Sequence, residues 1–309
     1  MLPITVCRED GRRHVRVSAS ELAELVGGIG GVDGLFLIVQ RIPDLPDRFL
    51  QVWHVAGDDH YQLEHCDGGY DRHYVVFVDT PDPVADVVAA MTGWALGEKG
   101  WDAGLDWTRL KRRAPKRARP LKLADHERAM LEARVREVLV GGYATRAELA
   151  EVAEKFPVPG RRRPVSHEQA RELADRMWLE RLAEQAHWTG ETDPERLTAA
   201  FAALEAAGVS AREHVTGPLP SGGAGTGAAG APGVRGFVHF HPGCTDAAAA
   251  GRGLPLFYGG FDGSSGTTAA IGREVVAALT AAGLPWEWDG EPDSVITVTP
   301  LDWRKRLIG

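Results

Sequence analysis

The sequence lacks most features that would settle a function at first reading. None of its 309 residues falls in an apolar run near the roughly 20 positions that a helical membrane span needs. No membrane partner is therefore expected. The opening, MLPITVCRED, has no basic start followed by an apolar stretch, so no signal peptide is read there. Cysteine is scarce: Cys7, Cys66 and Cys244 are far apart and odd in number. Without an export signal, that pattern predicts free thiols and a cytoplasmic, reducing setting. No paired CxxC, HExxH or GxSxG motif appears, and no Ser-His-Asp order can be read. A net charge of -8 disfavours nucleic acid as a global partner.

Positive charge is concentrated in one place. The stretch 110–122, LKRRAPKRARPLK, carries seven basic residues, no acid and two prolines. It reads as an inter-domain linker. No aromatic residue interleaves it, which argues against single-strand binding. The helical pair after it could suggest a DNA reader, but TRAELAEVAEKF puts Glu148, Glu151 and Glu154 on the second helix, the wrong sign for recognition.

What is present is ordinary globular material, 44% hydrophobic and 25% charged, long enough for two domains. Residues 1–109 alternate in short runs at 4–7, 14–17, 35–40, 49–55, 61–65 and 74–78, separated by turn residues such as Gly57-Asp58-Asp59 and Asp67-Gly68-Gly69. This predicts an antiparallel meander. Helices over 18–26 and 82–96 should cover one face, with Val84, Val87, Val88 and Met91 forming the stripe of the second. The GGIGGVDG loop at 27–34 lacks a P-loop lysine and leads into a strand, so it reads as a connector. Past the linker, helices are predicted over 124–140, 145–156, 166–185 and 194–207. Thr145 with Glu148 and Ser166 with Gln169 have capping-box spacing. The stretch 216–234 is dominated by Gly, Ala, Ser and Pro and is expected to be a flexible loop.

The most legible unit is 236–303. It reads as a strand over 236–241, a short Ala-rich helix, a strand over 254–261, a helix over 267–282 and a closing hairpin. Trp286, Trp288 and Trp303 are expected to pack on its sheet. The fold class is therefore α+β: an N-terminal domain over 1–109, the linker 110–122, and a C-terminal domain over 123–309 made of a helical segment plus a small mixed sheet.

The candidate chemistry lies in the same unit. In the strand of HFH, His239 and His241 share a face, and Cys244 follows within three residues. The three are candidate zinc ligands, with Asp246 or Tyr258 completing an open site. The alternative is a polar pocket lined by the same five residues.

From about 126 to 303 the chain resembles an uncharacterised bacterial domain family, common in actinobacteria and known only as a domain of unknown function. The likeness rests on WTGETDPERLTAAFAALEAAGVSAREHVT, RGFVHFHPGCTD, GLPLFYGGFDG, AIGREVVAALTAAGLPWEWDG and LDWRKR. Members of that family carry a cysteine-rich run after the position of His214-Val215. Here the place is TGPLPSGGAG, which puts a metal or thiol role of that loop in doubt. The N-terminal meander, LEHCDGGYDRHY and the closing tryptophans resemble small toxin-immunity domains, a likeness that implies protein-partner binding without catalysis.

Three functions follow as expectations. The first is a cytoplasmic, immunity-like binding protein with a protein partner. The second is a metal-dependent enzyme using His239 and His241. The third is a nucleic-acid-associated protein using the basic linker. The balance of residues favours the first.

Overall fold

Short alternating runs build one sheet, and helical stripes cover it. The computed structural model describes residues 1–31, 34–69, 71–111, 118–160, 163–217 and 233–307. Residues 112–117 of the basic stretch 110–122, most of the Gly/Ala-rich stretch 216–234 and two residues of the 27–34 loop lie outside the described residues.

The N-terminal elements run β1 (Ile4–Arg8), β2 (Arg13–Val15), α1 (Ala19–Gly27), β3 (Phe36–Arg41), β4 (Arg48–Trp53), β5 (Tyr61–Asp67), β6 (His73–Val78), α2 (Pro83–Leu96) and β7 (Thr108–Arg109). The strands form one seven-stranded sheet in the order β2-β1-β3-β4-β5-β6-β7, with every pairing antiparallel. Ser18 and Asp82 cap α1 and α2 by accepting from the backbone N–H groups of Glu21 and Ala85. Leu22, Val26, Val87 and Met91 of these helices pack on Leu37, Val39, Leu50, Val52, Leu63 and Val76. Strand alternation turns the intervening residues to the other face. There Phe36 pairs across the strands with Trp53, Trp53 with Gln62, and Gln62 with Phe77. This row is left open: Phe77 is 57% exposed, and Phe36 and Trp53 are only half-buried.

The second half begins with four helices, α3 (Asp125–Gly141), α4 (Arg146–Glu154), α5 (His167–Gln185) and α6 (Asp193–Ala206). Both predicted capping boxes form. Thr145 Oγ1 accepts from Glu148 N while Glu148 accepts from Thr145 N, and Ser166 and Gln169 do the same. The remaining elements are β8 (Val209–Arg212), β9 (Gly236–His239), α7 (Pro242–Ala249), β10 (Leu254–Gly260), α8 (Ser265–Ala281), β11 (Trp286–Glu287) and β12 (Ile296–Val298). The second sheet is ordered β11-β12-β10-β9-β8, with β8 parallel to β9 and the other pairs antiparallel. The architecture is α+β, an antiparallel sheet followed by helices and a smaller mixed sheet. Leu197, Phe201 and Leu204 of α6 and Ile271, Val275 and Leu279 of α8 share a core with Val209, Val238, Leu254, Leu256 and Ile296.

Two details depart from the sequence reading. Strands β7 and β8 were not foreseen, because two and four residues are too few to show a period and their partners are fixed only in three dimensions. Of the three tryptophans, Trp303 is buried and Trp288 lies over Gly272, but Trp286 is 36% exposed. It sits on the two-residue edge strand β11, where there is no further strand to pack against.

The two halves meet where α4 and α5 approach the turn between β3 and β4. Arg146 donates from Nε to Asp44 Oδ2 at 2.7 Å and from Nη1 to Asp175 Oδ1 at 2.6 Å. Trp178 donates its indole N–H to the Asp44 carbonyl at 2.7 Å. Burial works against the Arg146 charge, but the bonds to Asp44 and Asp175 outweigh it and raise the pKa of the guanidinium. A cleft of about 500 Å³ lies beside these residues, reached by Cys7, Phe49 and Arg171. Arg146→Ala would remove the cation that bonds both carboxylates in a largely buried place, leaving Asp175 only Arg171 at 3.9 Å. It should cost about 3–5 kcal/mol, measured by urea unfolding. A loss well under about 1 kcal/mol would show that the cluster is solvated like a surface pair.

Candidate functional site

The five residues singled out in the sequence end up in four different places. His239 is the last residue of β9 and is 3% exposed. Its ring lies near-parallel to Phe237, 5.6 Å away, and to Phe257, 5.8 Å away on the paired strand. Phe237 reaches this position because Gly259 lies opposite it. A Cβ there would meet the phenyl ring at 2.9 Å. Neither His239 nitrogen has a hydrogen-bond partner among the described residues. His241 lies just past the strand, where its Nδ1 accepts from Gly243 N and caps α7. Its ring stacks on Phe257 at 5.4 Å, so both histidines flank the same phenylalanine.

Cys244 turns instead into the apolar core with Phe240 and Ala248, where burial pushes its thiol pKa up. Tyr258 alternates with Phe257 along β10, stands edge-on to Trp288 and donates to the Glu291 carbonyl at 3.0 Å. Asp246 is exposed on the rim of a separate pocket. Among the described residues, no group of three or more His, Cys, Asp and Glu side chains is placed to hold a metal ion.

That separate pocket, about 460 Å³, is the most chemically crowded place in the second half. Its wall is Tyr143, just after α3. The Tyr143 hydroxyl donates to Glu213 Oε2 at 2.6 Å. The same oxygen accepts from Lys305 Nζ at 2.9 Å, while Thr198 donates to Glu213 Oε1 at 2.6 Å. The Lys305 ammonium also lies 4.6 Å over the Tyr143 ring. Burial works against the Glu213 carboxylate, but Lys305, Thr198 and Tyr143 outweigh it and its pKa falls. Burial and the Glu213 charge raise the Tyr143 phenol, which stays protonated as a donor.

Lys305 comes this close because Gly142 ends α3 at φ +81°. A Cβ at that position would meet Lys305 Cγ at 2.5 Å. His214 stacks on Tyr143 at 4.3 Å, with its Nδ1 3.0 Å from Thr245 Oγ1. It holds φ +50°, a left-handed conformation that is uncommon outside glycine. Burial lowers the His214 pKa, opposed by the charges of Asp246 and Glu148.

Of this constellation the sequence reading proposed only Asp246 as a site residue. Tyr143, Glu213, His214, Thr245 and Lys305 come from four distant parts of the chain. The one local cue in the sequence is the Gly141-Gly142 pair at the end of α3.

His239 gives a pH test. Burial, and then the neighbouring His241, depress its folded pKa. The unfolded chain takes up a proton near the ordinary histidine value of about 6.5, whereas the folded chain does so only at lower pH. Stability should therefore fall as pH drops below that value. In His239→Phe, which loses this proton uptake, the unfolding free energy should decline less between about pH 7 and pH 5, measured by urea titration at each pH. An equal decline in both proteins would show that His239 titrates alike folded and unfolded.

Comparison with known proteins gives one match. Residues 124–307 fit the family model described as a domain of unknown function, DUF6891. No curated protein and no solved structure matches the chain. The matched span begins at the residue before α3, ends two residues past Lys305, contains the whole Tyr143 pocket and covers more than half of the sequence, so the chain belongs to the DUF6891 family.

Proposed function

We propose that this chain is a binding protein, and that its partner is another protein docking on the open face of the N-terminal sheet. The observation that carries the reading is the cross-strand row of Phe36, Trp53, Gln62 and Phe77. It spans four neighbouring strands, about 14 Å at the usual strand spacing, and Phe77 is 57% exposed. Aromatic side chains are the residues most enriched at protein interfaces, because they bury a large area at a small entropic cost. An exposed aromatic row on a sheet rigidly backed by helices has the character of such a surface.

The two hydrogen-bonded charge clusters support binding over catalysis. Glu213, Lys305, Tyr143 and Thr198 spend their hydrogen bonds on one another, as do Arg146, Asp44 and Asp175. The finer reading is that of an immunity-like protein of an actinobacterium, working in the cytoplasm, its first 109 residues forming the partner-binding domain. It draws on the meander, the covering helices and the net charge of -8, which suits a basic partner.

The test places a photo-crosslinking amino acid at Phe77 in the native cell, with Val295, 42% exposed on the second half, as the control position. The reading expects one discrete protein adduct from position 77, none from 295, and loss of the adduct in Trp53→Ala. With the purified partner, that substitution should weaken binding by about 2 kcal/mol. Equal adducts from both positions, or none from 77, would remove the sheet face as the docking surface.

A further inference from the structure

The negative charge of the chain is concentrated in one stretch. From Leu50 to Glu98 there are nine acidic residues and one cation, Arg72. That difference of eight equals the net charge of the whole chain, -8, so the rest of the sequence is neutral in sum. The stretch spans most of β4 and all of β5, β6 and α2. It therefore supplies Trp53, Gln62 and Phe77, three of the four residues of the open cross-strand row.

The chain brings carboxylates to the rim of that row. The hairpin from β4 to β5 carries Asp58 and Asp59, and the chain leaving β6 carries Asp79; all three are exposed. The hairpin leans on the row: the His60 ring stands edge-on to Phe77, 5.4 Å away. Asp59 Oδ1 lies 3.2 Å from His60 Nδ1, with its side chain 97% exposed. Neither 54–62 nor 73–86 contains a lysine or arginine. Arg72 lies at the opposite end of β5 and β6 and is engaged by Asp67 at 3.3 Å. The open face thus has an aromatic centre and an acidic rim. A second copy docked through the same row would bring two such rims together, and like charges across an interface repel. Nucleic acid and an anionic lipid surface meet the same repulsion.

We infer that the partner of this face is a different protein with a basic contact surface, its lysine or arginine side chains set around an apolar centre, and that charge steers it onto the row. This rests on the sheet-face reading above and adds the chemistry of the occupant. Arginine suits both parts of the surface, because a guanidinium bonds a carboxylate and stacks on an aromatic ring. Opposite charge raises the rate of encounter, and contact with the aromatic centre then holds the complex. The same rim keeps the exposed row from pairing with copies of itself.

The test uses the full chain with the photo-crosslinking residue at position 77, in the native cell. It compares the unsubstituted rim with Asp58→Asn/Asp59→Asn/Asp79→Asn. The control, Glu191→Gln/Glu287→Gln/Asp293→Asn, removes the same charge from exposed sites of the second half. The rim variant should lose about fivefold or more of the adduct, while the control keeps its yield. In extracts of the same cells, raising salt from about 0.1 M to about 1 M shortens the screening length from about 10 Å to about 3 Å. The adduct of the unsubstituted rim should fall with it. Mass spectrometry should place the crosslink in a partner segment with more Lys and Arg than Asp and Glu. A thermal midpoint shared by all three proteins shows that the rim variant is folded; if its midpoint drops, the salt series and the crosslinked segment decide. A rim variant that behaves like the control, an adduct indifferent to salt, an acidic crosslinked segment, or an adduct with a second copy would overturn the inference. The first three of these leave the sheet face standing as a docking surface, whereas the absence of any adduct from position 77 removes both readings.

Discussion

Arg146 is the fastening on which the arrangement of the two halves depends. It holds Asp44, in the turn between β3 and β4, and Asp175, on α5, with bonds of 2.7 and 2.6 Å. Burying three charges carries a large desolvation cost, recovered only when the geometry is close and the remaining bonds are satisfied. Here the geometry is close. Two nitrogens of the guanidinium reach the two oxygens of Asp44, and a third reaches Asp175. Trp178 adds a neutral bond to the Asp44 carbonyl from within the helical core. Such a cluster tolerates little displacement, so it fixes how α4 and α5 sit against the sheet. Apolar contact alone would leave that angle loose.

The first turn of α4 serves both halves. Thr145 caps it, Arg146 reaches toward the N-terminal sheet, and Glu148 lines the pocket around Tyr143. Three consecutive needs of a helix start are met with residues that also do something elsewhere. The capping box holds Glu148 in place by two bonds to Thr145 without neutralising it. A helix N-terminus stabilises a carboxylate in its first turn, and Glu148 occupies that position in α4. The acidity of the pocket thus rests on the same local geometry that anchors the fastening.

Much of the fold was legible because it rests on local rules. Alternation gave six strands of the first sheet, and the stripes and capping boxes gave the long helices within a few residues of their observed ends. Strands β7 and β8 were missed for the same reason, being two and four residues long with no period to read. The site was legible only in part. The HFH strand predicted that His239 and His241 would flank one face, and they do flank Phe257. The direction of Cys244 could not be read, because α7 begins within one residue of His241 and turns the thiol into the core. The Tyr143 cluster has no local signature at all. Its members are brought together by a helix end, a strand end, a second helix and the C-terminal tail.

The two polar clusters differ in a way that bears on function. Around Arg146 and around Glu213, donors and acceptors balance, and charge balances nearly so, which is how buried polar networks become rigid. Glu148 and Asp246 lie outside that balance, exposed on the rim of the pocket around Tyr143. His239 is left over in the opposite sense, buried among phenylalanines with both nitrogens unmatched. An unmatched group in a closed aromatic setting can only cost stability. An exposed group is matched by water instead, so the same lack of a protein partner costs little there.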